Sequence, residues 1–171
     1  MKKPKLLSAA LSSRERNVDT ELYAGTVTVS GGGAGHGRAS GVVRSSDGFL
    51  ALELRMPVEL GGDGGGTNPE QLFAAAYAAC FHGALVSLAE RHGIAAGDAE
   101  VDATVVFRRD PVDGLFNLAA RLRVRLPGLA ENVARALLRN AERICPYTKM
   151  ARQGIEFSVV LDTGAGPADG S

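Results

Sequence analysis

Residues 67–93 read TNPEQLFAAAYAACFHGALVSLAERHG, and this stretch decides the fold. Thr67 and Asn68 as cap candidates, Pro69 suited to a first turn, and Gly93 after Arg91 and His92 predict one long helix. Apolar side chains run round most of its circumference, from Leu72 and Phe73 through Tyr77 and Phe81 to Leu85 and Leu88. A helix apolar on nearly every side is expected to be buried. Glu70, His82 and Glu90 interrupt the run and argue against a membrane span. Cys80 therefore sits near the middle of a central helix wrapped by other elements. A lone cysteine in such a place is ordinarily a small core hydrophobe. The second cysteine, Cys145, changes that reading.

Working outward, the composition is that of one globular domain. The 171 residues carry 19 Lys plus Arg against 19 Asp plus Glu, so no net field draws the chain to nucleic acid or to an anionic membrane. We expect a loose polar arm over residues 1–20, one domain over 21–162 and a disordered tail over 163–171. Two cysteines outside any CxxC pair are too few for a secreted disulfide scaffold. His36, His82 and His92 share no ligand spacing with them, so neither a metal nor a bound cofactor is expected. Residues 1–11 lack a full apolar signal region and a cleavage site. The expected compartment is the cytoplasm, where thiols are held reduced.

Residues 22–30 alternate as a strand with one buried face, followed by the glycine-rich GGGAGHGRASG at 31–41 with one arginine, Arg38. Residues 41–45 and 49–54 flank Ser46, Asp47 and Gly48, a hairpin signal. The second glycine-rich stretch, 57–66, lacks the Lys-Ser or Lys-Thr of a phosphate loop and reads as a hinge or a close-approach loop. Beyond the central helix, residues 100–109 and 115–126 predict a long antiparallel hairpin whose outer face carries Arg108, Arg109, Arg121, Arg123 and Arg125 as a solvated face. Residues 129–144 form a second helix, with Val133, Ala136, Leu137 and Ile144 on its apolar side, ended at Cys145-Pro146. A last strand is expected over 155–161. The order of elements is that of an α+β fold with antiparallel sheet.

The two cysteines differ in setting, and the difference suits redox chemistry. Cys80 is on a rigid helix, whereas Cys145 lies beside Pro146 at a helix end. A thiolate that attacks a peroxide becomes a sulfenic acid, and a second thiol on a movable segment can condense with it to a disulfide. In an apolar site the attacking sulfur needs a nearby cation to stay ionised. Arg38 is the candidate, with Glu70 as the carboxylate that orients its guanidinium. Along a continuous helix Glu70 lies about 15 Å from Cys80. Glu70 is therefore expected to serve the Cys80 of a second subunit. Leu72, Phe73, Tyr77, Phe81 and Met150 are candidate walls for an alkyl tail, although each such residue is more often simple core packing. His82, two residues from Cys80, points to another helix face and reads as a satisfied interior or interface histidine.

The blocks TNPEQLFAAAYAACFHGAL and CPYTKMAR, with the earlier LYAGTVTVSGGG and GRASGVVRSSDGFLALEL, together resemble the organic hydroperoxide resistance (Ohr) branch of the OsmC/Ohr superfamily, over about residues 22–161. The resemblance implies an intertwined homodimer of α+β subunits with antiparallel sheets around long central helices. It implies a thiol peroxidase that reduces alkyl or fatty-acid hydroperoxides to alcohols, with a lipoyl dithiol, free or on a lipoylated protein, as reductant. By the same likeness Cys80 matches the peroxidatic cysteine, Cys145 the resolving one, and Glu70 the glutamate that binds the catalytic arginine. Arg38 matches that arginine, and Arg44 is the alternative, because the loop here runs one residue longer through Ala39, Ser40 and Gly41. The arm lies outside the family pattern. A non-catalytic thiol redox sensor and an OsmC-type osmotically induced peroxidase are the competing readings.

Overall fold

The long helix forms where the sequence places it. In the computed structural model, which describes residues 20–33 and 39–162, α1 spans Pro69–Arg91. Asn68 is its N-cap, with Oδ1 accepting a hydrogen bond from the Gln71 N–H at 2.9 Å, and Pro69 opens the first turn. The chain divides into two units after Gly66, so the helix belongs to the second. The expected arm and tail, Arg38 and His36 lie outside the described residues, save for Thr20 at the arm's end.

The first unit carries a three-stranded antiparallel sheet of β1 (Val27–Ser30), β2 (Gly41–Ser45) and β3 (Ala51–Leu54), in that order. The hairpin between β2 and β3 is closed by Asp47, whose Oδ1 accepts from the Ser45 hydroxyl at 2.5 Å and the Phe49 N–H at 3.1 Å. Those two donors, the hydroxyl first, hold the Asp47 carboxyl below its ordinary range. Gly48 completes the turn at φ +79°, a left-handed conformation that suits glycine. The expected strand over 22–30 begins only at Val27. Its partner β2 ends opposite Val27 at Ser45, and after one last bond from the Ser46 N–H to the Thr26 carbonyl oxygen at 3.0 Å the chain turns, so residues 22–25 meet no ladder. In the stretch 57–66 a 3-10 turn, Val58–Leu60, precedes Gly62, where a Cβ would collide with the Met56 carbonyl oxygen. This is the close approach that only glycine permits.

In the second unit α1 is followed by β4 (Glu100–Arg109), β5 (Phe116–Arg125), α2 (Glu131–Ile144) and α3 (Pro146–Gln153). β4 and β5 pair antiparallel with Val101 opposite Val124 and Ala103 opposite Leu122. Val101, Leu122 and Val124 face a core of Tyr77, Phe81, Leu85, Ala99, Ala141 and Cys145. The opposite face is charged and solvated, as the alternation requires. There Arg125 pairs with Glu100 and Asp102, both at 2.5 Å.

Three expectations change. The helix α1 buries one stripe, Tyr77, Phe81, Leu85 and Ala89, rather than its whole surface; Ala75, Ala79 and Gly83 are exposed. It is long and apolar enough to cross a membrane by length and composition, so the charges flanking that run do not exclude a span. What places it in the core is that its stripe packs against β4, α2 and α3. Second, Ile144 is exposed, and the inward line of α2 runs Leu137, Ala141, Cys145 at helical spacing. Third, the expected strand over 155–161 is absent: residues 154–162 are irregular, and Ile155, Phe157, Val159 and Leu161 are exposed. Among the described residues no neighbouring strand offers that segment a ladder.

The helix α3 was not anticipated. Proline pushes the preceding Cys145 out of helical conformation, to φ −69° and ψ 118°, which ends α2. The same proline has a φ suited to a first turn, and so starts α3.

Candidate functional site

The site is built where α1 meets the α2–α3 junction. The helix α1 presents Cys80 one turn beyond Tyr77, while α2 delivers Cys145 at its last inward position. The two sulfurs are 3.6 Å apart and both thiols are free. A disulfide needs about 2.05 Å between sulfurs, so closing it takes a shift of about 1.5 Å. Cys145 is 0 % exposed and joins two helices, its N–H donating to the Ala141 carbonyl oxygen at 2.9 Å and its carbonyl oxygen accepting from the Lys149 N–H at 3.1 Å. Cys80 is half-buried, and so is the more accessible of the pair.

Electrostatics at Cys80 oppose ionisation. Burial pushes its thiol above the ordinary value, the adjoining Cys145 thiol adds to this, and the backbone N–H of Tyr147 pulls the other way. That N–H comes from the first turn of α3, whose N-cap, Cys145, makes no side-chain capping bond. An N–H left without a partner in its own helix is thus turned toward sulfur. Neutral-pH reactivity at Cys80 calls for a cation in addition.

Of the other expected site residues, Glu70 is the second residue of α1, and the helix is unbroken from there to Cys80, a rise of about 15 Å. Arg38 lies outside the described residues. Arg44 is exposed on β2, beside Thr28 and Ala51. His82 Nε2 bonds the Ala99 carbonyl oxygen at 3.1 Å, a satisfied structural contact. Among the described residues no cluster of three or more His, Cys, Asp or Glu is placed to hold a metal ion.

The five candidate wall residues divide. Phe73 and Met150 line an open apolar cavity of about 530 Å³ with Pro146, Tyr147 and Ile155. Tyr77 and Phe81 border a different cavity, of about 400 Å³, with Leu122, Leu138 and the Arg152–Glu142 ion pair. Leu72 is half-buried on α1. Rings of Phe73, Tyr77 and Tyr147 stand 5.9–6.3 Å apart; neither cysteine lines either cavity. Tyr147 and Thr148 were not singled out in the sequence. The available signal was the Cys-Pro dipeptide, since a proline that can begin a helix makes the next two residues its first turn.

Comparison with known proteins places the chain in a family. The OsmC-like protein family matches residues 61–160. The organic hydroperoxide resistance protein OhrB of Bacillus subtilis is 38% identical over 140 residues, covering 82% of this chain and 98% of that protein. The organic hydroperoxide resistance protein of Xanthomonas axonopodis pv. citri is 39% identical over 142 residues, covering 82% and 94%. Among solved structures, an organic hydroperoxide resistance protein OsmC from Legionella pneumophila superposes with a TM-score of 0.69 at 41% identity, covering 79% of this chain and 93% of that one. The relatives support a role in resistance to organic hydroperoxides. With its two thiols in reach of each other and its likeness running through nearly all the described chain, the protein belongs to the OsmC-like family, in its organic hydroperoxide resistance branch.

Proposed function

We propose that the protein is a thiol peroxidase that reduces organic hydroperoxides to alcohols. The observation that carries this reading is the 3.6 Å separation of Cys80, within α1, and Cys145, at the α2–α3 junction. The Cys80 thiolate attacks the distal peroxide oxygen; an S–O bond forms, the O–O bond breaks, and the alkoxide takes a proton to leave as alcohol. The Cys145 sulfur then attacks the Cys80 sulfenic acid, forming the disulfide and releasing water. A lipoyl dithiol, free or protein-bound, reduces the disulfide by two exchanges and leaves as its own cyclic disulfide. The open cavity beside Phe73, Tyr147 and Met150 suits an alkyl tail, which favours alkyl and fatty-acid hydroperoxides over hydrogen peroxide.

Because burial raises the Cys80 thiol, a guanidinium is assigned to hold the thiolate: Arg38, oriented by Glu70, with Arg44 as the alternative. The helical distance from Glu70 to Cys80 in one chain favours a site completed by a second copy. The exposed apolar side chains over 155–161 favour the same homodimer. Thiols kept reduced between turnovers suit the cytoplasm.

The test is consumption of tert-butyl hydroperoxide with dihydrolipoamide. Turnover is expected for the native protein and none for Cys80→Ser. Cys145→Ser should undergo one oxidation, stall, and accumulate sulfinic acid at Cys80 by mass spectrometry. Normal cycling by Cys145→Ser would remove the resolving step, and stoichiometric oxidation without turnover in the native protein would favour a redox sensor.

A further inference from the structure

We infer that the buried hydrogen bond between Tyr77 and Thr148 is a positioning clasp for the sulfur pair: it fixes the first turn of α3 against α1 so that the Tyr147 N–H and Cys145 both address Cys80. The Tyr77 hydroxyl donates to Thr148 Oγ1 at 3.2 Å, and both residues are buried, at 6 % and 5 % exposure. Each stands three residues from a cysteine, Tyr77 before Cys80 and Thr148 after Cys145, so the bond lies one helical turn from the sulfurs on both helices. Nothing within α3 does this work. Its cap residue makes no side-chain capping bond, Pro146 has no N–H, and the first-turn N–H of Tyr147 finds its acceptor in the sulfur of another helix.

The role matters because the sulfurs must stay within a small shift of bonding distance while the thiolate keeps its one backbone donor. A hydrogen bond to the charged form of an acid favours that form, and its strength falls steeply with misalignment. If the first turn of α3 drifts by a few tenths of an ångström, Cys80 loses that donor and Cys145 loses its line of approach. The aromatic contact between Tyr77 and Tyr147, with centroids 5.9 Å apart, ties the same turn from its other side but supplies no directionality.

This inference rests on the peroxidase reading for its importance, but its test does not. The measurement is the rate at which full-length protein, in a Cys145→Ser background, is alkylated at Cys80 by iodoacetamide across pH 5 to 10, a range chosen to span roughly the thiol titration region. Thr148→Val and Tyr77→Phe are each expected to move the midpoint upward by about one pH unit, roughly a tenfold loss of reactivity at neutral pH. The double variant should move it no further, because both remove one bond. Thr148→Ser, which keeps the hydroxyl, should retain the unsubstituted midpoint. In a Cys145-containing background, closure of the disulfide after one equivalent of diamide should slow in Thr148→Val and not in Thr148→Ser. A clasp with only a structural part would lower melting temperature and leave the midpoint unmoved, and that result overturns the inference. So does an additive double variant, or failure of Thr148→Ser to keep the native profile. Should Tyr77→Phe fail to fold, Thr148→Val and Thr148→Ser decide the matter alone. Absence of hydroperoxide turnover in the native protein would refute the peroxidase while leaving the alkylation profiles to judge the clasp.

Discussion

Phe81 and Phe157 are the same side chain set in two apolar patterns, and the fold treats them oppositely. Phe81 is 1 % exposed, in the core that backs the two sulfurs; Phe157 is 81 % exposed on an irregular segment. Around Phe81, three helices and a hairpin supply neighbours from within the second unit. Around Phe157 the alternation of Ile155, Phe157, Val159 and Leu161 is as regular as that of β4, yet among the described residues no strand is beside it. The difference teaches that a pattern states what a segment is able to do, while a partner decides whether it does so. For β4 the partner is a few residues away across a turn; for residues 155–161 it is not among the described residues.

The strongest way to break this comparison is to make the same change at both ends of it. Phe81→Ala should cost about 3–5 kcal/mol in urea unfolding, since it removes a fully enclosed ring and leaves a cavity. A loss under about 1 kcal/mol would mean that the core behind the sulfurs is loosely packed.

A second test sharpens what the buried side of the comparison does to chemistry. If Arg38 is the cation at the site, Arg38→Ala should shift the Cys80 alkylation profile upward by about one pH unit or more, about 1.4 kcal/mol, while Arg44→Ala leaves it in place. The reverse outcome moves the assignment to Arg44. The sign carries over to stability. Burial raises the Cys80 thiol pKa in the folded state, so folding favours the protonated form. In Arg38→Ala the stabilising contribution is complete below the ordinary thiol value and is lost as pH rises through the raised one. Denaturant midpoints measured from pH 7 upward should therefore fall in that variant, by roughly the range expected for one shifted group.

Smaller effects follow away from the core. Asn68→Ala should cost about 1 kcal/mol, because the Gln71 N–H loses its acceptor at the start of α1. Circular dichroism melts would detect this, and no change would mean that water replaces the cap. The smallest expected effect is Phe157→Ala, within about 0.5 kcal/mol for the isolated chain. If instead its melting temperature becomes strongly concentration-dependent relative to the native protein, a second copy covers the segment. That outcome would join the two regions that now stand apart.

The degree to which the structure was legible varies by element. The cap and first proline of α1, the Asp-Gly hairpin and the β4–β5 pair were all readable, since each depends on residues close in sequence. The start of the strand predicted at residue 22 was misplaced because it depended on where β2 stopped. The helix α3 was missed because Pro146 was read only as a terminator. At the candidate site the unlike settings of the two cysteines, one within a helix and one before a proline, were legible. Thr148 was not, because its significance comes from a tyrosine far away in the chain.

By itself the amino-acid sequence determined the periodicities, the caps and turns, the neutral charge balance and the presence of one helical and one proline-flanked cysteine. Apart from the charge balance, which is a sum over the chain, these are properties of short stretches, set by backbone sterics and local hydrogen bonding. Only the tertiary structure decided that the two sulfurs meet at 3.6 Å, that Thr148 accepts from Tyr77, and that residues 155–161 go without a ladder among the described residues. Those outcomes turn on burial and on contacts between residues distant along the chain, which local preference does not encode.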